Sequence, residues 1–562
     1  MTLAPHDLSL TGERVSTEPL RSVEQLSFEP EHDVHPSPKD WRDQVIYQVL
    51  IDRFDDGKEH PPYEPGKTPA SNHPERHKKA CEFQGGRIRG ILRRLDYLQG
   101  LGVTTLWISP PLKNRSDDHY ACHGYGIQNF LAIDPRFGTL ADLRELVRAA
   151  HARGMYVVLD IVINHTGDCW AYKNNADPTY DDNGTRHDFG YFRKAGGGEI
   201  VPGQPMTIED GVWPIELQDP DCFKRRGRIR DFGAASLEEA VHGDFSSLKD
   251  LELRNPKVLD TLIKCYKYWI KTLDLDGFRI DTVKHADPEP TALFCNAIRE
   301  YCQRIGKSNF LLFGEVVDGD DLLQRYIARN TALEGINERW PLLSAVLDFP
   351  LYFVLEEVIK GFETVSKLRD RYESFRNLFR DYAAASQHYV TFVDNHDQMH
   401  RPYRRFAAGS NDHRQSVLAI GYLLCNLGIP CIYYGTEQGL DGAGKEDNAV
   451  REALFGGPPD TGWGPFGTSG HHVFNRTSPI YQAIAQIIEV REREPALRYG
   501  RQYFRDVSGD GVHFGPNITP GGVIAFSRVL DTDEVIVAIN LDDKPREDRI
   551  QVDGKLTPPG SK

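Results

Sequence analysis

The sequence predicts an α/β fold: a (β/α)8 TIM barrel with an inserted domain after its third strand and a C-terminal antiparallel β domain. Three observations predict it. From Trp41 onward, apolar strand-like runs alternate with stretches of helical period. Eight such runs can be traced, and they are nearly continuous in apolar residues, as suits a parallel sheet covered on both faces. Four of them end in clusters of Asp, Glu, Asn and His, and in a parallel barrel those ends meet at one mouth.

The first run is Gln44 to Ile51. Gly90 to Gly100 then places Ile91, Leu92, Leu95 and Leu98 on one helical face, before Val103 to Ile108 returns to strand. Thr139 with Asp142 is a capping-box variant opening a helix that buries Leu143, Leu146, Val147 and Ala150. Met155 to Ile163 is the third strand. The alternation then pauses, because Thr166 to Phe245 is rich in Asp, Asn, Gly and Pro and has no sustained period. Asn255-Pro256 opens a helix with Val258, Leu259, Leu262, Ile263, Tyr266 and Ile270 inward, and this feeds the strand Asp276 to Asp281. Strands five to eight are Phe310 to Gly314, Ala345 to Phe349, Tyr389 to Val393 and Ile429 to Tyr434. From Pro495 the runs alternate in polarity, as in Gly522 to Val529 and Glu534 to Asn540, and read as a small β domain that is short for a complete sandwich. The expected division is a polar N-terminal tail (1–40), the barrel in two parts (41–165 and 246–494), the insertion (166–245) and the C-terminal β domain (495–562).

At 562 residues the chain exceeds one ordinary core, and 40% hydrophobic with 27% charged residues is the composition of a globular protein. A formal net charge of −15 without a basic cluster argues against nucleic acid and anionic membranes as partners. No run of about 18 apolar residues is present to span a bilayer. The first forty residues lack the basic and apolar regions of a signal peptide, and nine cysteines without CxxC spacing are most simply reduced thiols in a cytoplasm. His60, His73 and His77 lie in a long loop, Asp52 to Phe83, at no metal-binding spacing, and that loop reads as solvated.

The strand ends carry the chemistry. The third ends Asp160-Ile161-Val162-Ile163-Asn164-His165, the fourth Arg279-Ile280-Asp281, the fifth Phe313-Gly314-Glu315 and the seventh Asp394-Asn395-His396-Asp397. Burying Asp281 is costly unless it is paired, and Arg279, two residues earlier on the same strand face, can hold it ionised. Alone, that pair reads as a structural cap on a strand. Together, Asp281, Glu315 and Asp397 cannot all ionise in one mouth without strong repulsion, so at least one retains a proton. Glycoside hydrolysis needs such a set: a carboxylate to attack the anomeric carbon, an acid to protonate the leaving oxygen, and a third group to stabilise the cationic transition state. A divalent metal held by His165, His396 and the carboxylates is the rival reading of the same residues.

The clusters DIVINH (160–165), GFRIDTVKH (277–285), FGEV (313–316) and FVDNHD (392–397) resemble, in order, the four sequence regions of the α-amylase family, glycoside hydrolase family 13. A fifth segment, Leu248 to Glu252, is similar to the family's short motif near the end of its inserted domain, and the resemblance runs from Val45 to Glu437. It implies retaining cleavage of α-glucosidic bonds, with Asp281 matching the nucleophile, Glu315 the acid/base and Asp397 the transition-state stabiliser. It further implies that Arg279 serves the nucleophile, that His165 and His396 bind the sugar at the cleavage point, and that Tyr125 is the aromatic platform beneath it. Lys284 and His285 match residues lining the leaving-group side. Asp160 and Asp394 match recurrent positions read here as structural, and Asn129 stands where many relatives carry Asp. Hydrolysis of α-1,4-linked glucans, transfer to a sugar by a glucanotransferase or isomerase, and a non-catalytic binding barrel are all open. The last would be expected to have lost a carboxylate, and all three are present.

Two further expectations concern the insertion. Trp170, Tyr172, Phe189 and Tyr191 read as its core, with sugar stacking as the alternative. Asn164, at the end of the third strand, and Asp250, where the chain returns, offer oxygens that suit a hard cation such as Ca2+. The resemblance implies a structural calcium at these positions together with the main-chain oxygen of His285, pinning insertion to barrel. The plainer reading is a loop cap and a turn residue.

Overall fold

Alternation along each apolar run decides which side chains enter the barrel and which face its helices. The computed structural model describes residues 19–62, 82–327, 343–378, 382–399, 401–409, 414–455 and 471–560. Eight parallel strands close in chain order: β1 (Ile46–Val49), β2 (Thr105–Ile108), β3 (Tyr156–Ile161), β4 (Gly277–Ile280), β5 (Leu311–Gly314), β6 (Ala345–Leu347), β7 (Tyr389–Thr391) and β8 (Ile429–Tyr433), with β8 pairing back to β1. All eight strands expected from the sequence are present.

Ile46, Trp107, Val158, Leu311, Phe313, Ala345, Leu347, Val390, Ile429 and Cys431 pack together, while Tyr47, Leu106, Leu159, Phe278, Leu312 and Val346 join the larger cluster against the helices. The strand period of two therefore carries the inner set upward to Asp160 above Val158, and to Glu315 above Phe313. Arg279 lies in register with Asp160 on one side and Phe313 on the other. Polar residues thus replace the apolar filling at the C-terminal end of the barrel, where barrel sites are built. At the opposite end of β4, Asp276 accepts from Val157 N at 2.8 Å and pairs with His151 and Lys307 at 2.8 and 2.9 Å, so the carboxylate before the strand locks the barrel floor.

The outer helices form where the sequence places their signals. In α1 (Leu140–His151), the Thr139 hydroxyl accepts from Asp142 N and the Asp142 carboxylate accepts from Thr139 N, and Leu143, Leu146, Val147 and Ala150 are buried. In α2 (Pro256–Leu273), Asn255 caps the Lys257 N–H, proline occupies the first turn, and Asp274 ends the helix at φ 58°. The segment Gly90–Gly100 differs from its expected single helix. It lies within two short helices, Ile88–Arg93 and Leu95–Leu101, broken at Arg94, whose φ/ψ of −97°/7° leaves the helical region.

After β3 the chain leaves the barrel. The insertion is held by a three-stranded sheet (170–172, 189–193 and 199–200) and by an aromatic cluster in which Trp170 and Phe189 stack at 4.7 Å and Phe192 and Phe223 are fully buried. Trp170 and Tyr172 are buried here, as the core reading expects, while Phe189 and Tyr191 are only partly covered. The chain returns through Lys249–Asp250, which pairs antiparallel with His165–Thr166. That pairing sets the exit and the return of the insertion side by side at the barrel mouth.

Two flanking segments complete the architecture. Residues 19–40 run against the barrel, with Val23 buried, the Tyr301 hydroxyl donating to Phe28 O at 2.7 Å and the His35 ring stacked on His151 at 4.0 Å. At the C-terminal end, β9 (Arg501–Phe504), β10 (Val523–Leu530) and β11 (Asp533–Asn540) form an antiparallel sheet whose hairpin turns at Asp531, φ 51°. Of the loop histidines, His60 pairs with Asp56 at 2.9 Å, while His73 and His77 lie outside the described residues.

Candidate active site

One guanidinium organises the mouth. Arg279 is fully buried; its Nη1 donates to Asp281 Oδ1 at 2.6 Å and Asp160 Oδ1 at 2.9 Å, and its Nη2 meets Glu315 Oε2 at 3.1 Å. Because β4 and β5 pair Ile280 with Gly314, the next residues, Asp281 and Glu315, stand beside each other at the rim. Each has one oxygen committed: Asp281 Oδ1 to Arg279, and Glu315 Oε2 to Arg279 and the Thr282 N–H at 3.1 Å. Asp281 Oδ2 and Glu315 Oε1 are the oxygens left to act on a substrate.

Asp160 serves this arrangement from below. Its Oδ2 accepts from Trp107 Nε1 at 2.9 Å and the Tyr125 hydroxyl at 2.8 Å, and its Oδ1 takes the second contact of Arg279. Asp394 ties the seventh strand end to later loops, accepting from Phe406 N at 2.6 Å and Thr436 Oγ1 at 3.0 Å. Asn129, the departure noted in the sequence, is buried, and its side-chain oxygen accepts from Leu131 N at 2.9 Å.

On the far side, Asp397 is gripped by His396 Nε2 at 2.8 Å and Arg451 Nη2 at 2.5 Å. Gln48, which points inward from β1, donates to His396 Nδ1 at 2.7 Å, so Nε2 carries the ring proton toward Asp397 and Tyr125. The Tyr125 and His396 rings stack at 5.3 Å with only 5° between their planes. His165 is fully buried with neither ring nitrogen hydrogen-bonded, and its Nε2 lies 3.9 Å from Asp281 Oδ2.

The electrostatics separate the carboxyl groups. Burial pushes Asp281 and Glu315 up to about 7 and Asp160 up to about 6, against the opposing pull of Arg279. For Asp397, burial is outweighed by His396 and Arg451, which hold it well below the usual carboxylate range. Two guanidinium groups face four carboxyl groups, so full ionisation leaves excess negative charge and a proton is retained in the cluster. Between Asp281 and Glu315, the 2.6 Å contact with Arg279 favours ionised Asp281 and leaves the proton on Glu315. Burial lowers His165 to about 3, so its ring is neutral and can accept as well as donate.

Lys284 and His285 sit on the turn after β4. Lys284 Nζ reaches Asp318 at 2.9 Å and Val317 O at 3.2 Å, bridging the turn to the loop after β5. The His285 ring is tied by Nδ1 to Ala240 O in the insertion at 2.8 Å, and burial lowers it to about 4.

The donors expected to hold calcium do converge. Asn164 Nδ2 bonds Asp250 Oδ2 at 3.2 Å, but the group at their centre is an ammonium. Lys224 Nζ lies 3.4 Å from Asn164 Oδ1, 3.2 Å from Asp250 Oδ2 and 3.4 Å from His285 O, and also donates to Val241 O. A divalent ion does not fit beside it. At about 4 Å each unit of like charge repels by about 4 kcal/mol even at an effective dielectric constant of about 20. The oxygens expected to hold calcium are present, and a lysine of the insertion lies between them. Among the described residues no group of three or more His, Cys, Asp and Glu side chains could hold a metal.

Sequence reasoning did not find Gln48, Trp107, Arg451 or Lys224. Inward alternation from Ile46 and the apolar run of β2 could have flagged the first two. Arg451 lies 54 residues beyond Asp397 in an irregular segment, and Lys224 lies in the aperiodic insertion, so neither carries a local signal.

The residue pattern described as "Alpha amylase, catalytic domain" matches residues 48–456. The chain belongs to the α-amylase family. Among its relatives, an α-amylase of Streptomyces lividans is 30% identical over 500 residues, covering 82% of this chain and 51% of that protein. A cyclomaltodextrin glucanotransferase of Geobacillus stearothermophilus is 28% identical, covering 88% of this chain and 59% of its own length. This α-amylase family chain thus spans little more than half the length of these relatives. The crystal structure of an α-amylase from Geobacillus thermoleovorans, complexed with acarbose, superposes with a TM-score of 0.61 at 25% identity, covering 90% of this chain and 88% of that one. No described helix is long and apolar enough to cross a membrane.

Proposed function

We propose that the chain cleaves α-1,4-glucosidic bonds of α-glucans or maltooligosaccharides with retention of configuration. The carrying observation is the single guanidinium that brackets Asp281 and Glu315 on neighbouring strands. Such bracketing suits the separation of about 5–5.5 Å used by retaining enzymes, which leaves no room for water between nucleophile and sugar. In the first step Asp281 Oδ2 attacks the anomeric carbon while Glu315 passes its proton to the departing glycosidic oxygen. In the second, the Glu315 carboxylate takes a proton from water, which displaces Asp281 and restores both groups. Asp397, held ionised opposite them, stabilises positive charge on the sugar, and His165 and His396 bind its hydroxyls beside the Tyr125 ring. Lys284 and His285 line the leaving-group side.

Proton NMR of the first-formed product tests the stereochemistry: the α anomer is expected, and an initial β anomer would contradict a double displacement. Likeness to a glucanotransferase keeps transfer to a sugar hydroxyl as a second reading, since the same covalent intermediate serves both. Product analysis on maltooligosaccharides and starch separates them by whether chains longer than the substrate, or cyclic ones, appear. A cytoplasmic location goes with this reading, in keeping with eight described cysteines that are all buried.

A pH dependence follows from the raised acid. Glu315 must be protonated to act and is raised by burial to about 7, so kcat/KM is expected to fall as pH rises through that value. The Asp397 carboxylate, held well below the usual range, stays ionised throughout. In Glu315→Gln, assayed with a substrate whose leaving group needs no proton, the alkaline fall is expected to vanish. A fall unchanged in that variant would place the titrating acid elsewhere.

A further inference from the structure

We propose that the ammonium of Lys224 stands in for a structural divalent cation at the junction of barrel and insertion, so that this fold is pinned without calcium. Four separate pieces of chain meet on its Nζ. They are Asn164 after β3, Val241 at the end of the short helix Leu237–His242, Asp250 on the returning strand, and the main-chain oxygen of His285 after β4. An ammonium has three N–H donors and no acceptor, and every group facing it here is an oxygen. Lys224 is 1% exposed, and Asp287 adds a further carboxylate oxygen at 3.9 Å.

The lysine is delivered by the backbone as well as by its charge. Its N–H donates to Asp250 O at 3.0 Å, and the preceding Phe223 pairs with Leu251, so the side chain starts beside the returning strand and extends across the junction. A charge built into the chain cannot dissociate, whereas a bound ion stabilises only in proportion to its concentration and affinity. The consequence reaches the active site, because His285 lies four residues beyond Asp281 on the turn that Lys224 holds. Without the ammonium, the junction would present Asp250 Oδ1 and Asp287 Oδ2, both buried with no hydrogen-bond partner, together with carbonyl and amide oxygens. That is a donor set for a hard cation.

The test is thermal unfolding of the full chain and of Lys224→Ala, each in EDTA and in rising CaCl2, with metal analysis of the dialysed wild-type protein. The wild-type chain is expected to show the same Tm in both media and to retain no stoichiometric calcium. Lys224→Ala is expected to melt several degrees lower in EDTA and to regain part of that loss as calcium is added. A wild-type Tm that rises with calcium and falls with EDTA would overturn the proposal, as would a Lys224→Ala protein that melts with the wild type in EDTA. The wild-type arm decides even if the variant does not fold.

Discussion

Asp281→Asn is expected to lower kcat by about four orders of magnitude or more while the protein keeps its wild-type fold. The amide is nearly the same size as the carboxylate but cannot attack the anomeric carbon, and the barrel is assembled by contacts elsewhere on β3, β4 and β5. Folding is checked by circular dichroism and melting, activity by steady-state rates on maltooligosaccharides. Near-normal turnover would assign the nucleophile to another residue. A fall in kcat with an unchanged KM is the form the proposed double displacement predicts, because a nucleophile acts on the transition state.

Arg279→Met is expected to be the most damaging change to stability in the mouth. It removes the one cation shared by Asp160, Asp281 and Glu315, all buried, and breaking a buried pair from one side costs about 3–5 kcal/mol. The loss has a definite pH dependence. These three groups are already raised by burial with Arg279 present, and without it they are raised further, so folding then favours their protonated forms. The destabilisation is therefore smallest at low pH and grows as pH rises through about 7. Urea unfolding at pH 5 and pH 8 measures it, and an equal loss at both would contradict the shared-cation account.

The barrel was legible because a buried parallel strand must be apolar along its length, and eight such runs between helical stretches leave few other folds. The carboxyl cluster was legible for a related reason: a charged residue directly above an apolar strand is rare unless something pairs with it, and Asp281 and Glu315 each follow the last residue of such a strand, while Asp397 closes the polar run Asp394 to Asp397 beyond β7. What partners they have was less legible. Arg279 is visible because it shares a strand face with Asp281. Arg451 and Lys224 act through loops, where no period ties residue number to direction, and their long side chains reach partners set by tertiary packing alone. The calcium expectation shows the limit well, since Asn164, Asp250 and His285 O do meet as the family resemblance implied. The identity of the cation depended on residue 224, in the stretch with the least pattern of any in the chain.

The central claim is that Asp281 forms the covalent bond to the sugar. Incubating Glu315→Gln with an α-maltosyl fluoride tests it most directly, because fluoride leaves without an acid while the second step lacks its base, so the intermediate accumulates. Mass spectrometry of the digested protein is expected to find one maltosyl group on the peptide containing Asp281. A maltosyl group on Asp397 or elsewhere, or fluoride release with no labelled peptide at any time, would contradict the account.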